Sequence, residues 1–255
     1  MARDCLSFWL PRRGYQPEEY EDASAADPVT GRFALSDGTT NSSFANLWAQ
    51  LLVADFVQNV DHNLTRLDAF FFAIQKQWYT SPIIQETLEK IARNPLRFWF
   101  IKDKLMKGAF ATFRGLSITS APGEIPQWEA TAVGDTCLFH TRGPTLFSAF
   151  PIDHSSKFNN SPKLLGSRTP PDRIRKTPAL RIQGSGLTDD RLWMMTDALA
   201  KWCLMEHEGG RDPWGEIDSI LTCPEPQQRF SAWIEEIRSS RKLHNDDVTL
   251  LLIIL

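Results

Sequence analysis

Residues 109–118 (Ala-Phe-Ala-Thr-Phe-Arg-Gly-Leu-Ser-Ile), 127–133 (Gln-Trp-Glu-Ala-Thr-Ala-Val), 136–141 (Thr-Cys-Leu-Phe-His-Thr) and 145–148 (Thr-Leu-Phe-Ser) follow one another closely. Each looks like a short strand. Turn residues separate them: Ala-Pro-Gly at 121–123 and Arg142-Gly143-Pro144. Successive strands with short turns predict an antiparallel meander.

The flanks read differently. On the N-terminal side, residues 32–36 (Arg-Phe-Ala-Leu-Ser) form a short strand ended by the turn signal Asp37-Gly38. Asn41-Ser42-Ser43 offers helix-capping oxygens. Phe44, Leu47, Trp48, Leu51, Leu52 and Phe56 then recur at three- and four-residue spacing, which predicts a helix over about 43–60. Further helical patterns cover 64–78, 82–92 and 96–106, and Pro82 suits a first helical turn. On the C-terminal side, 191–196 is a short apolar strand. Helical patterns follow at 197–204, 213–221 and 225–240, and 248–255 reads as a buried strand. Between lies a segment, 151–186, poor in pattern and locally basic. Over 151–181, Lys157, Lys163, Arg168, Arg173, Arg175, Lys176 and Arg181 face only Asp153 and Asp172. It is a solvated loop or a region that steers an anionic substrate. With no linker and no repeat, the chain reads as a single α+β domain spanning 1–255.

Composition narrows the function. The 255 residues are 42% hydrophobic and 23% charged, with net charge −3 and pI about 6.0. Such a chain is not a generally basic nucleic-acid binder. No stretch is long and apolar enough for a membrane span, and the N-terminus does not read as a signal peptide. Cys5, Cys137, Cys203 and Cys223 are scattered, without the spacing of a zinc site or a disulfide framework. A reduced, cytoplasmic protein is expected. The nine Trp, among them Trp48, Trp78, Trp99 and Trp202, sit mostly in helical patterns and read as core.

The chemistry lies in acids beside apolar runs. Asp37 follows 33–36, Asp135 follows 130–134, Asp197 follows 192–196, and Asp246-Asp247 precede the last strand. Carboxylates converging from several strand ends repel one another unless divalent cations fill the cluster, and all-oxygen sites suit Mg²⁺ or Mn²⁺. Taken singly, each Asp reads better as a turn residue bonding its local backbone.

The order of the local sequences is more specific. Glu21-Asp22-Ala23, Ser36-Asp37-Gly38, Gly134-Asp135-Thr136, Thr196-Asp197-Ala198 and Asp246-Asp247-Val248-Thr249 succeed one another over nearly the whole chain. Residues 150–155 (Phe-Pro-Ile-Asp-His-Ser) add a D-H-S segment. The set resembles the protein phosphatase 2C family of metal-dependent serine/threonine phosphatases, in a divergent, short, bacterial-type form. The resemblance implies a four-layer α-β-β-α sandwich, two antiparallel sheets flanked by helices. It implies two metal ions, with a third possible. Asp37 bridges two of them and Gly38 offers its carbonyl. Asp197 and Asp246 complete a metal shell, Glu21 and Asp22 hold metal-bound waters, and Asp135 matches a third, weaker position. Asp37, Asp197 and Asp246 are then the catalytic set, and a phosphorylated protein is the substrate.

Departures from the family pattern are equally specific. Pro17 stands where many members have a phosphate-gripping Arg. Arg12 or Arg13, brought round by a bend at Gly14, is the candidate replacement, with solvated surface charge as the alternative. Thr39-Thr40-Asn41 replaces the usual Gly-Gly, no His follows Asp37-Gly38, and Ala198 replaces a Gly. His154 and His244 lie near the implied site and are candidate proton donors or local hydrogen-bonding residues. His207, between two Glu, lacks metal-site spacing. A binding domain that recognises a partner without turnover, and a hydrolase of small phosphoesters, are the rival functions. Oligomeric state is not legible.

Overall fold

Residues 248–254 show in miniature how the molecule is layered. The side chains of a strand alternate between faces. Val248, Leu250 and Leu252 pack with one set of helices, whereas Leu251 and Ile253 enter a second core on the opposite face. A strand apolar on both faces must be covered on both, and a sandwich of two sheets with outer helices satisfies that.

The computed structural model describes residues 4–40, 42–59, 67–120, 124–159, 161–177 and 179–255, with 67 and 68 in backbone only. Its strands are β1 (Cys5–Leu10), β2 (Ala23–Asp27), β3 (Arg32–Ser36), β4 (Phe110–Ala111), β5 (Phe113–Thr119), β6 (Gln127–Val133), β7 (Cys137–Arg142), β8 (Thr145–Phe150), β9 (Leu165–Gly166), β10 (Leu180–Ser185), β11 (Arg191–Met195) and β12 (Val248–Ile254). The helices are α1 (Ala45–Gln58), α2 (Leu67–Thr80), α3 (Pro82–Arg93), α4 (Trp99–Lys107), α5 (Pro171–Ile174), α6 (Asp197–Glu208), α7 (Pro213–Leu221) and α8 (Pro226–Ser239).

Two five-stranded antiparallel sheets result, ordered β1-β12-β11-β7-β8 and β10-β6-β5-β3-β2. Phe33, Leu35, Leu116, Leu138, Met194 and Leu251 fill the space between them. Trp193, Met195 and Phe139 turn outward onto α6, α7 and α8, against Trp214, Phe230 and Ile234. Ala34 and Phe113 turn outward onto α1 and α2, against Trp48, Phe56 and Phe70. This is the four-layer sandwich that the resemblance implied. No described helix is long and apolar enough to cross a membrane.

The four strands β5–β8 are in place but do not form the expected single meander. β5–β6 and β7–β8 are antiparallel pairs in opposite sheets, and the chain crosses between the sheets at Gly134-Asp135-Thr136, because both faces of these apolar strands must be covered. The turn read at 121–123, the cap at Asn41 and the start of the helix read at 64 lie outside the described residues. Ser42 does not cap α1: its hydroxyl accepts the Phe110 N–H and bonds the Thr39 carbonyl. Phe44, in the left-handed region at φ 63°, leads into α1 instead. Ser81 caps α3 by accepting from the Ile84 N–H, with Pro82 in the first turn as expected. The 151–186 segment is more regular than its composition suggested, since it holds β9, α5 and β10. Trp99 departs from the core reading: it is 65% exposed on α4, whereas Trp48, Trp78 and Trp202 are buried.

Candidate functional site

One end of the sandwich gathers the acids. Asp37 leaves β3 and is held by its backbone: its N–H donates to Thr112 Oγ1 (3.0 Å) and its carbonyl accepts from the Thr112 N–H (2.8 Å). Thr112 also bonds Thr136 (2.6 Å), which ties the end of β3 to the β6–β7 corner. Gly38 sits so close to the neighbouring chain that a Cβ there would lie 2.5 Å from the Glu21 carbonyl oxygen. Gly134, at φ +102°, turns β6 so that Asp135 follows; a Cβ there would lie 2.6 Å from Thr112. Asp197 opens α6 directly after β11, where a helix N-terminus favours negative charge. Thr196 anchors that junction by accepting from the Thr249 N–H (3.0 Å).

Asp37, Gly38, Asp135, Asp197 and Asp246 line one cavity of about 320 Å³. Asp22 lies beside it, 3% exposed, accepting from the Thr249 hydroxyl (2.6 Å) through Oδ2 while Oδ1 has no partner. Glu21 takes an ion pair from Arg12 (3.2 Å). Asp247 serves differently from Asp246. Its two oxygens accept the backbone N–H groups of Arg12 and Glu21 (2.8 Å each), so it clamps the N-terminal segment to β12.

The electrostatics are those of an uncompensated anionic cluster. Burial, reinforced by the neighbouring carboxylates, pushes Asp22 and Asp37 well above the usual carboxylate range. Burial and Asp197 raise Asp135 to about 7. Asp197 is raised by burial and then by Asp246, an effect that His244 and Lys201 oppose. Among the described residues, no three His, Cys, Asp or Glu side chains gather round one point closely enough to hold a metal ion. The donor chemistry nonetheless fits a hard divalent cation. The cluster presents carboxylate and carbonyl oxygens, and one buried carboxylate oxygen lacks a partner.

The phosphate-binding candidates are placed less favourably. Arg13 reaches away from the cavity, to Glu235 and Ser239 on α8. That is a correction to its expected role: a carboxylate on the neighbouring helix holds its guanidinium. Arg12 lies at the rim, bonded to Glu21 and Thr40 and stacked 3.8 Å over the Tyr15 ring. Pro17 starts a 3₁₀ turn over 17–19. His244 lines the cavity, 3.8 Å from Asp246. His154 does not line it; it bonds Ser156 and faces Glu208 at 3.5 Å.

Three features escaped the sequence reading. Lys201, one turn along α6 from Asp197, lines the cavity and has no hydrogen-bond or ion-pair partner among the described residues. An i, i+4 lysine on a helix carries no signal until the helix start is known to be a site. Arg238 of α8 is buried and holds the carbonyls of Pro11 and Asp246, fixing the loop before β12. Phe158, Asn159, Pro162 and Leu164, from the supposed loop, form one wall of the cavity.

Solved structures share this fold along the whole chain. The catalytic domain of the serine/threonine protein phosphatase PstP, solved with two manganese ions, matches with a TM-score of 0.57 at 15% identity, covering 99% of this chain and 97% of that one. This chain has the protein phosphatase 2C fold. The Staphylococcus aureus serine/threonine phosphatase Stp1 matches at 0.61 and 12% identity, over 100% and 96% of the two chains. The photosystem II phosphatase PBCP matches at 0.62 and 14%, over 99% and 98%. No protein-family profile matches the sequence, and no curated protein is similar to it in sequence. The protein phosphatase 2C fold is thus carried here by a sequence far from these relatives.

Proposed function

We propose that this protein is a metal-dependent phosphatase of phosphoserine and phosphothreonine in proteins. The observation that supports the reading is the mutually repelling set of buried Asp22 and Asp135 with half-buried Asp37, Asp197 and Asp246 at one end of a protein phosphatase 2C sandwich. Asp37, the Gly38 carbonyl, Asp197 and Asp246 would hold two Mg²⁺ or Mn²⁺ ions, Asp135 would serve a third, and Glu21 and Asp22 would act through water. Bound ions of this kind acidify water and neutralise charge on a phosphoryl group in flight. Thr112, Thr136 and Thr196 hold the carboxylates on rigid strand ends, so little reorganisation accompanies the reaction. Lys201, an exposed lysine that lines the cavity, supplies the phosphate grip that Pro17 lacks, with Arg12 at the rim. His244, beside Asp246, is the group best placed to return a proton to the departing seryl oxygen.

One observation favours a second reading, a phosphatase-like binding domain. Arg12 is engaged by Glu21 and Arg13 by Glu235, so among the described residues no guanidinium is free for phosphate at the cavity. Hydrolysis of an aryl phosphate by the purified protein in Mn²⁺, in Mg²⁺ and in EDTA decides between them. Turnover that requires the metal supports the phosphatase. Metal binding by calorimetry without turnover of aryl phosphate or phosphopeptides supports the binding domain.

A further inference from the structure

A second and larger cavity, about 620 Å³, adjoins the acidic one and shares Thr39, Pro162 and Leu164 with it. Its far wall is α4. Phe100, Lys104 and Lys107 stand at i, i+4 and i+7 and so lie on one face of that helix, which lines the cavity. Phe110 adds a further apolar surface. Phe100 is 52% exposed, so its ring is open to a partner. Lys104 is half-buried with its ammonium 4.8 Å from the centre of the Phe100 ring, and it has no carboxylate partner among the described residues. Lys107 pairs with Asp103 at 2.7 Å, but both side chains are largely exposed, so the pair gives way easily to a competing carboxylate. The groove is therefore apolar with a net positive wall, next to a cavity that is strongly acidic.

A small phosphoester needs only the acidic cavity. A polypeptide carrying a phosphorylated side chain has main chain and neighbouring side chains to place, and the continuous trough offers room for them. We infer that the groove between α4 and the 161–164 segment seats the polypeptide flanking the phosphorylated residue, and that it selects a flank with an apolar side chain followed by an acidic one. The inference rests on the phosphatase reading for the identity of the phosphorylated group. The apolar side chain lies on Phe100 and Phe110, and the carboxylate meets Lys104. The positive wall makes a basic flank the disfavoured alternative, which is how such sites discriminate.

The test compares three substrates: an aryl phosphate, a phosphothreonine peptide with Leu and Glu on both sides, and the same peptide with Leu and Lys. The wild type is expected to show about tenfold higher kcat/KM for the Glu peptide than for the Lys peptide, mainly through KM. Phe100→Ala and Lys104→Glu are each expected to remove most of that advantage and leave aryl phosphate hydrolysis unchanged. Lys104→Glu is further expected to turn the preference toward the Lys peptide, an outcome that misfolding would not produce. Equal losses on peptide and aryl phosphate, or no loss on the peptide, overturn the inference. So does self-association in sedimentation that Lys104→Glu abolishes with peptide kinetics untouched, since the groove is then a contact between copies. If the wild type hydrolyses nothing, the phosphatase reading fails separately. Anisotropy of the labelled Glu peptide, with Mn²⁺ present, then reads the groove directly: weaker binding by Lys104→Glu supports it, and unchanged or absent binding overturns it.

Discussion

The two ends of β11 carry opposite solutions to one problem, a carboxylate buried at a strand terminus. At the N-terminal end, Asp190 is fully buried, yet every direction is answered. Arg142 donates two hydrogen bonds (2.5 and 2.9 Å), His140 contacts it at 2.9 Å, and the Leu187 N–H donates at 2.9 Å. Burial works to raise its pKa, but the bonds from Arg142, His140 and Leu187 outweigh that and hold it at about 2. At the C-terminal end, Asp197 meets Asp135 and Asp246 instead, and its pKa is raised. Strand β7, antiparallel to β11, spans the same two ends, with Asp135 before it at one and Arg142 closing it at the other. A protein that pairs one buried carboxylate this completely has the means to pair others. The acid set lacks any such guanidinium partner, and under the proposed function cations from outside the chain would take that place.

That contrast can be broken most decisively by exchanging Asp37. Asp37→Asn is expected to lower metal-dependent hydrolysis by about a thousandfold or more, since each 1.4 kcal/mol of lost transition-state stabilisation is about tenfold and a metal clamp supplies several kcal/mol. The same variant is expected to melt no lower than wild type in EDTA, because a repelling charge has been removed. A lower melting temperature together with retained turnover would sink both halves of the comparison. Asp190→Ala should do the reverse. It leaves His140 and Arg142 without their acceptor and costs about 3 kcal/mol of stability, read by urea unfolding, with Mn²⁺ affinity unchanged.

Titration sharpens the same contrast. Asp135 has a raised folded-state pKa, so the metal-free protein binds extra protons between about pH 4 and 7, and its stability falls as pH rises through that window. Asp190, depressed to about 2, contributes stability that is present above about pH 4 and lost as pH falls toward 2. Melting curves in EDTA should therefore show a maximum on the acid side of neutrality, and millimolar Mn²⁺ should restore stability at pH 7. A flat profile from pH 4 to 7, unresponsive to Mn²⁺, would mean that the acid set is not strained.

The smallest expected effect is at Lys201. Lys201→Ala should raise the inhibition constant of inorganic phosphate about tenfold, the scale of one lost charge-assisted bond, while Mn²⁺ binding by calorimetry holds or tightens. Unchanged phosphate inhibition would return the phosphate grip to Arg12.

How much of this was legible beforehand follows from where side chains are buried. The six central strands, β3, β5, β6, β7, β11 and β12, were readable because their apolar runs supply the inner cores. The edge strands β1, β2 and β10 were missed. Residues 180–185 of β10 are exposed or half-exposed throughout, and 23–27 of β2 are mostly small alanines. An edge strand is held by backbone bonds to its neighbour more than by buried side chains, so its sequence carries little period-two signal.

For the site, the sequence by itself determined the order of the acidic motifs, and the resemblance to the protein phosphatase 2C pattern, not their local setting at strand ends and turns, singled out these acids as candidates. Tertiary structure alone decided their division of labour. It turned Asp246 into the cavity and Asp247 onto two backbone N–H groups. It drew Arg13 away to α8, brought Lys201 in, and set a basic, apolar groove beside the acids. These outcomes depend on which segments meet across the sandwich, and contacts such as Arg12–Asp247 and Arg13–Glu235, 235 and 222 positions apart, leave no mark on local spacing.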